Sequence, residues 1–136
     1  MNQTLLSLTE EMKRQLVQLG VMLCYAHGSV VKGTAMRESD LDVAVLFDEM
    51  PADALRVMAQ VTDALSGLAP GRELDIAILN EASPLFKQVV AVEGHILYAR
   101  SEDDRIRFEF RAMHEYESSK HIHRIAFRAM MTRPAI

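Results

Sequence analysis

Residues 28–47, GSVVKGTAMRESDLDVAVLF, decide the fold, because this stretch joins a glycine-serine pair to two carboxylates. Asp40 and Asp42 stand one residue apart at the head of LDVAVLF, an apolar run that predicts a central strand of a sheet. Alternate residues of a strand point to the same face, so the two carboxylates are expected to project together. The Gly28-Ser29 pair is expected to end the preceding strand and begin one or two helical turns.

The two carboxylates call for a positive partner, because burying an unpaired charge is costly. A divalent cation is the simplest partner, and oxygen ligands suit Mg²⁺ or Mn²⁺ rather than zinc. Glycine lets backbone N–H groups approach a ligand closely, and a helix that begins at Ser29 would point free N–H groups at an anion. A phosphate-binding turn beside a metal-binding carboxylate pair predicts a nucleoside triphosphate site.

A third carboxylate is expected on the next strand, in the segment ELDIAIL. Asp75 is the first candidate, because a charge inside an apolar run needs a reason. Glu73 shares its face of the strand and remains the alternative. Three carboxylates around two Mg²⁺ ions would let one metal grip a triphosphate and the other activate an attacking hydroxyl. His27, just before the Gly-Ser turn, has two interpretations: a structural strand-end residue, which is the commoner case, or a contact to a nucleotide.

The flanking regions alternate between helical and strand patterns, which predicts an α/β domain. LLSLTEEMKRQLVQLG predicts an amphipathic helix that includes Leu5 and ends at Gly20, and VMLCYA predicts a buried strand. A helix is expected to begin at Pro51 with Leu55 facing inward, and ELDIAIL is expected to be buried. The remaining predictions are a helix from Ser83-Pro84 through Val92, a short strand or extended connection at HILYA, and a helix from about Glu102 to Met131.

The last helix carries an apolar stripe, formed by Ile106, Phe110, Met113, Ile122, Ile125, Ala126 and Ala129. The polar stretch ESSKH interrupts the stripe, which predicts a bend or a passage over an open surface. Residues 105–136 hold seven Lys or Arg against three Glu, a net charge of +4, whereas the rest of the chain carries −8. This basic segment is either a solvated face or a surface for an anionic ligand or acidic partner.

The length of 136 residues predicts one domain spanning 1–136, with a core at about 5–100 and a helical segment at about 101–132. The start of the chain is not secretory in pattern, and no apolar run approaches the ~20 residues of a spanning helix. Cys24 is expected to be a small buried hydrophobe. We therefore expect a cytoplasmic protein. The sequence lacks G-x-G-x-x-G and G-K-[ST], which argues against Rossmann and P-loop sites.

The order G-S, ten residues, D-x-D and a later strand aspartate resembles the nucleotidyltransferase superfamily with the polymerase β-type palm fold. The small size narrows the resemblance to minimal nucleotidyltransferases (MNT). The segment VEGHILYARSEDDRIRFEFRAMHEYESSKHIHRIAF is similar to the end of MNT antitoxins encoded beside HEPN toxins. The resemblance implies a small mixed sheet packed with helices and a long C-terminal helix. It also implies nucleotide-binding roles for Gly28, Ser29, Lys32, Gly33 and Ser39, and catalytic, metal-binding roles for Asp40, Asp42 and Asp75.

The resemblance further implies a type VII-like antitoxin that uses Mg²⁺ and ATP to transfer AMP to a tyrosine of a HEPN ribonuclease toxin. Lys32 stands where the family usually has arginine, so it could meet a phosphate only without the two-pronged hydrogen bonding of a guanidinium. Two alternatives remain: an antitoxin that neutralises its toxin by covering it, and a transferase for small molecules. The acceptor and the number of AMP units are left open. No membrane and no direct nucleic-acid contact are expected.

Overall fold

The computed structural model describes residues 6–34 and 39–132, in which helices alternate with four strands of one mixed sheet. The strand order is β3-β2-β1-β4, with β2 and β3 parallel and the other neighbours antiparallel. The predicted α/β class, mixed sheet and long last helix are confirmed. The elements are α1 Glu10–Gln18, β1 Val21–His27, α2 Ser29–Lys32, β2 Leu41–Phe47, α3 Ala54–Ala64, β3 Leu74–Ile78, α4 Pro84–Glu93, β4 His95–Ala99 and α5 Glu102–Met131.

The sheet has two unlike faces, which the alternation of side chains along β2 separates. The face that carries Leu41, Val43 and Val45 packs in one apolar cluster with residues of α1 and α3, and we call it the closed face. The opposite face, which carries Asp42 and Ala44, is covered in part by α4 and α5, and we call it the open face.

Cys24 packs in the closed-face cluster with no exposed surface, as expected for a small hydrophobe. Burial raises the pKa of its thiol to about 12, so the thiolate form is disfavoured at neutral pH. None of the described helices combines the length and the apolar character that crossing a lipid bilayer requires.

The first helix begins later than predicted. The Thr9 side chain caps α1 by accepting a hydrogen bond from the backbone N–H of Met12 at 3.2 Å, so the helix starts at Glu10. Leu8 precedes the helix but is buried in the same cluster as Leu16. Its apolar side chain therefore fitted the helical spacing of the sequence although the residue is not helical. Leu5 lies outside the described residues.

The third helix also begins later, and one of its predicted core residues is wrong. Asp53 caps α3 by accepting from the backbone N–H of Arg56 at 3.1 Å, so the helix begins at Ala54, three residues after Pro51. Leu55 is 81% exposed, whereas Val61 and Leu65 are fully buried. Leu55 precedes Val61 by six residues, which places it about 240° around the helix from the buried side.

The segment ELDIAIL is an edge strand rather than a fully buried one. β3 pairs only with β2, and Ile76 alone among its residues is buried. The spacing of apolar residues in the sequence does not reveal the order of the strands. That order places β3 at the edge of the sheet, where fewer of its side chains are covered. The segment HILYA forms β4, the opposite edge.

The apolar stripe of α5 is not the side of the helix that meets the sheet. All seven residues of the predicted stripe are exposed, and Phe108 and Ala112 are the buried residues of the helix. The Phe108 ring lies 5.8 Å from that of Tyr25, whose hydroxyl donates to Glu109 at 3.0 Å. These contacts to β1 fix which side of the helix meets the sheet. The helix also runs through the ESSKH segment without interruption.

Candidate active site

Three strands bring the predicted site residues to one end of the open face. In the antiparallel pairing of β1 with β2, His27 is the partner of Asp42, so the Gly28-Ser29 turn lies beside this carboxylate. In the parallel pairing of β2 with β3, Asp75 is the partner of Asp42. Paired residues of neighbouring strands share a face, so His27, Asp42 and Asp75 form one row across the sheet.

Gly28 packs directly against Asp42. Its backbone has φ 79°, a conformation that side chains rarely adopt, and a Cβ at this position would lie 2.3 Å from Asp42 Oδ2. Only glycine fits both the backbone and the contact. The sequence predicts a turn here for approach to a ligand, and the structure adds close packing on the carboxylate.

The helical turn α2 follows Gly28 and is one turn long, as predicted. The N–H of Lys32 donates to the Gly28 carbonyl at 3.1 Å, and Gly33 ends the turn with φ 74°. The first N–H groups of a helical turn have no acceptor within it, so those that follow Gly28 can receive an anion. Because α2 has only four residues, binding a phosphate there also requires the residues next to the turn.

The Asp42 carboxylate is repelled by the neighbouring carboxylates. The pKa of Asp42 is raised, first by burial, with the negative charges of Asp75 and Asp40 adding to the effect and His27 opposing it. Asp40 and Asp75 are therefore near enough to repel the Asp42 carboxylate. A cation among them would relieve that repulsion.

His27 lies in the same row as Asp42 and Asp75, a position that the sequence alone did not establish. Its Nε2 atom is buried and has no hydrogen-bond partner within residues 6–34 and 39–132. Its ring meets the edge of Phe86 at 5.3 Å, and burial lowers its pKa although Asp42 and Asp75 act in the opposite direction. In the sequence, the one feature that indicated this location was its position directly before Gly28-Ser29.

Two other predicted nucleotide-binding residues, Lys32 and Ser39, have partners outside this row. The Lys32 ammonium forms an ion pair with Glu93 of α4 at 3.0 Å, with both side chains about half exposed. The carbonyl of Ser39 accepts from an Arg72 guanidinium at 2.6 Å. The segment between Gly33 and Ser39 includes residues 35–38, which lie outside the described part of the chain.

The donor chemistry suits Mg²⁺, although the carboxylates are not arranged as a ready-made cage. Across the described ranges, no three His, Cys, Asp or Glu side chains converge closely enough to hold a metal ion. Mg²⁺ usually needs only one or two carboxylates, with water and phosphate oxygens completing its shell. The repulsion at Asp42 and its contact with the Gly28 turn fit that requirement.

Comparison with known proteins gives a family and a set of similar folds. The profile of the family described as polymerase beta, nucleotidyltransferase matches residues 10–103. The protein adenylyltransferase MntA of Shewanella oneidensis is 33% identical over 88 residues, which are 63% of this chain and 60% of that protein. The matched region thus spans less than two thirds of that relative.

Two of the similar solved structures are toxin–antitoxin complexes. A toxin–antitoxin structure with AMP-PNP matches with a TM-score of 0.66 at 22% identity, covering 88% of this chain and 98% of that one. A tri-AMPylated Shewanella oneidensis HEPN toxin in complex with MNT antitoxin matches with a TM-score of 0.61 at 20% identity, covering 89% and 97%. At this identity the two structures establish a shared fold.

Proposed function

The chain belongs to the polymerase beta nucleotidyltransferase family, and we propose that it is the protein adenylyltransferase antitoxin of a type VII-like toxin–antitoxin pair. It transfers AMP from ATP to a tyrosine hydroxyl of a HEPN ribonuclease toxin and so inactivates the toxin. The observation that carries the proposal is the packing of Gly28 on Asp42, with Asp75 beside it in register. The 33% identity to a protein adenylyltransferase supports the reaction type.

The proposed roles follow the order of the residues along the open face. The backbone N–H groups after Gly28, with Ser29 and Gly33, bind the triphosphate, and Ser39 borders it. Lys32 assists once it leaves Glu93. Asp40, Asp42 and Asp75 would hold Mg²⁺, two ions in the complete site, with Mn²⁺ as the alternative. Bound there, the metal neutralises phosphate charge and lowers the pKa of the attacking hydroxyl.

Asp75 is a better third carboxylate than Glu73. Its negative charge acts on Asp42, whereas Glu73 is not among the groups that shift the pKa of Asp42. Asp75 is exposed at the edge of the sheet, where an acceptor can approach. It orients or deprotonates the acceptor tyrosine, whose oxygen attacks the α-phosphorus in line while pyrophosphate leaves.

The exposed part of α5 supports a protein acceptor. Its distal half is basic and displays large apolar side chains that nothing in the described chain covers: Ile122, Ile125, Phe127, Met130 and Met131. We assign the HEPN toxin to this surface, because the toxin–antitoxin complexes match this fold over about nine tenths of the chain. The cytoplasm supplies the ATP that the reaction consumes.

The test is intact-protein mass spectrometry of the HEPN protein encoded beside this chain, after incubation with the chain, ATP and Mg²⁺. We expect a mass increase of one or more AMP units, which EDTA and the Asp40→Asn/Asp42→Asn variant both abolish. A stable complex without a mass increase would show the alternative, an antitoxin that acts by binding alone. Neither complex nor mass increase would direct the search to small-molecule acceptors.

A further inference from the structure

A cavity of about 480 Å³ lies at the end of the sheet opposite the carboxylates, between α5 and the last residues of β2 and β3. Leu46, which lines the cavity, follows Asp42 by four residues, a separation of about 13 Å at about 3.3 Å per residue. Ala44, between the two places on β2, is fully buried in the cluster that also contains residues of α4 and α5. The cavity is therefore a separate site and not an extension of the carboxylate row.

The base of the cavity is held in shape by hydrogen bonds at the end of the sheet. The Asn80 side-chain amide donates to the Phe47 carbonyl and accepts from the Phe47 N–H, both at 2.9 Å. The N–H of Leu79 donates to the Val45 carbonyl at 2.8 Å. Preformed clefts of ~300–1,000 Å³ are typical of small-molecule sites. The apolar part of the lining consists of Met22, Leu46, Leu79, Phe108 and Ala112.

All three carboxylates that line the cavity are engaged by two of its four cations. The Arg100 guanidinium donates to Asp104 at 2.8 Å and pairs with Asp48 at 3.3 Å. The Lys87 ammonium pairs with Glu115 at 3.2 Å. The side chains of Lys87 and Asp104 are only 18% and 15% exposed, so these pairs form part of the wall. They leave no unpaired carboxylate in the lining to repel an anion.

The other two cations of the lining, Arg107 and Arg111, have no ion pair. Neither guanidinium has a carboxylate oxygen within 4.0 Å or a hydrogen-bond acceptor among residues 6–34 and 39–132. The two residues stand four apart on α5, a spacing that places their Cβ atoms about 5–6 Å from each other. Two guanidinium groups at this separation can bind the oxygens of one phosphate group, which the planar fork of arginine suits.

We propose that this cavity binds a phosphorylated small molecule of the nucleoside monophosphate class, at a site separate from the carboxylate row. The phosphate lies between Arg107 and Arg111, and the base lies against Leu46 and Phe108. A phosphate ion alone would fill a small part of the volume, so the organic part of the ligand is needed to occupy the rest. The proposal does not depend on the proposed function.

The bound ligand joins the first half of α5 to the end of β2. Arg107 and Arg111 belong to the helix and Leu46 belongs to the strand, so one molecule contacts both elements. A ligand that binds only the folded chain stabilises it by mass action. Occupation of the cavity should therefore raise Tm and slow amide hydrogen exchange in the part of α5 from which the exposed distal half extends.

The first experiment titrates the full chain with AMP in EDTA and follows two-dimensional amide NMR spectra. We expect saturable shifts at Leu46, Leu79 and Arg111, with the signals of Gly28 and Ser29 unchanged. Inorganic phosphate and adenosine, the two parts of the probe, should each bind at least about tenfold more weakly than AMP. No shifts, or shifts confined to the Gly28-Ser29 turn, would overturn the proposal. Equal affinity for phosphate and AMP would contradict a ligand with an organic part.

The second experiment compares two double variants by the same titration. Arg107→Gln/Arg111→Gln should weaken AMP binding at least about tenfold, because it removes charge-assisted hydrogen bonds to the phosphate. Arg124→Gln/Arg128→Gln is the matched control, with the same charge change and spacing on the same helix but outside the cavity, and it should bind AMP as the wild type does. The spectra of the free variants check that both are folded. Equal loss in the two variants, or no loss in the first, would contradict the site. Neither experiment involves AMP transfer, so a failure here leaves the proposed function standing.

Discussion

The two faces of the sheet are built from the same strands and differ in what covers them. On the closed face, Leu41, Val43 and Val45 lie fully buried under α1 and α3. On the open face, α4 and α5 bury Ala44 but leave Asp42 and Asp75 accessible. Alternation along β2 therefore places the carboxylates on the opposite side of the strand from Leu41, Val43 and Val45. Substitutions at the buried closed-face positions should change stability, and those at the carboxylates should change transfer.

The largest effect is expected for Asp75→Asn, which should lower the rate of AMP transfer about 10³-fold with little change in Tm. Loss of a metal-holding carboxylate removes several kcal/mol of transition-state stabilisation, and each 1.36 kcal/mol is about tenfold in rate. Glu73→Gln is the matched control and should retain transfer within about twofold by the same scale. Equal losses in the two variants would mean that the third carboxylate is wrongly assigned.

On the closed face, Leu65→Ala should lower the free energy of unfolding by about 2–5 kcal/mol, because it leaves a cavity in the core. Leu55→Ala, with a side chain 81% exposed, should change it by less than about 0.5 kcal/mol. Urea unfolding of the two variants measures the difference. A comparable cost at both positions would contradict the buried side assigned to α3.

Gly28→Ala should lower transfer about 10²-fold, since its Cβ would displace the Asp42 carboxylate from its position. Gly33→Ala is the control: it has a similar positive φ, but nothing lies within 4 Å of an added Cβ. Initial rates of AMP transfer at saturating ATP are compared for the two variants. A loss in Gly28→Ala alone indicates displacement of the Asp42 carboxylate rather than backbone strain. If Gly33→Ala were as slow as Gly28→Ala, strain in the turn would explain the loss.

The smallest effect is a gain in stability. The raised pKa of Asp42 means that ionisation of its carboxyl group opposes folding. The protonated carboxyl group contributes most to stability below its pKa in the unfolded chain, and this contribution is lost as the pH rises through its pKa in the folded chain. In EDTA at pH 7, Asp42→Asn should therefore raise Tm, and the gain should shrink as the pH falls toward 4. Asp63→Asn, on the exposed side of α3, controls for net charge. A gain that does not depend on pH would rule out this origin.

The sequence predicted best those helices, strands and turns that are determined by residues close together in the chain. The Gly28-Ser29 turn, the strand after Asp42 and the helix from Glu102 to Met131 all follow from local patterns, and the structure confirms these elements. The edge position of β3 depends on strand order, which periodicity does not contain. The pairing of Lys32 with Glu93 joins α2 to α4 across a long stretch of chain, so no local pattern signals it.

The sequence predicted the apolar stripe of α5 but not which side of the helix meets the sheet. An apolar stripe shows that a helix has a face to bury but does not say against what. The stripe through Phe110 is exposed, and Phe108 and Ala112 are the residues that pack toward Tyr25 and the sheet. The proposed roles of Asp40, Asp42 and Asp75 remain predictions that the Asp75→Asn and double-variant measurements address.

The length of α5 has a consequence for the thermodynamics of recognition. Thirty residues make a rod of about 45 Å, yet its last buried residue is Ala112, and every described ion pair beyond Glu115 is internal to the helix. Most helix stability in proteins comes from tertiary packing, which the described distal turns lack, so they should open and reclose readily, with rapid amide hydrogen exchange. A partner that docks there must first offset the entropy of ordering those turns. Its affinity can then be tuned by helix propensity at positions that it never touches.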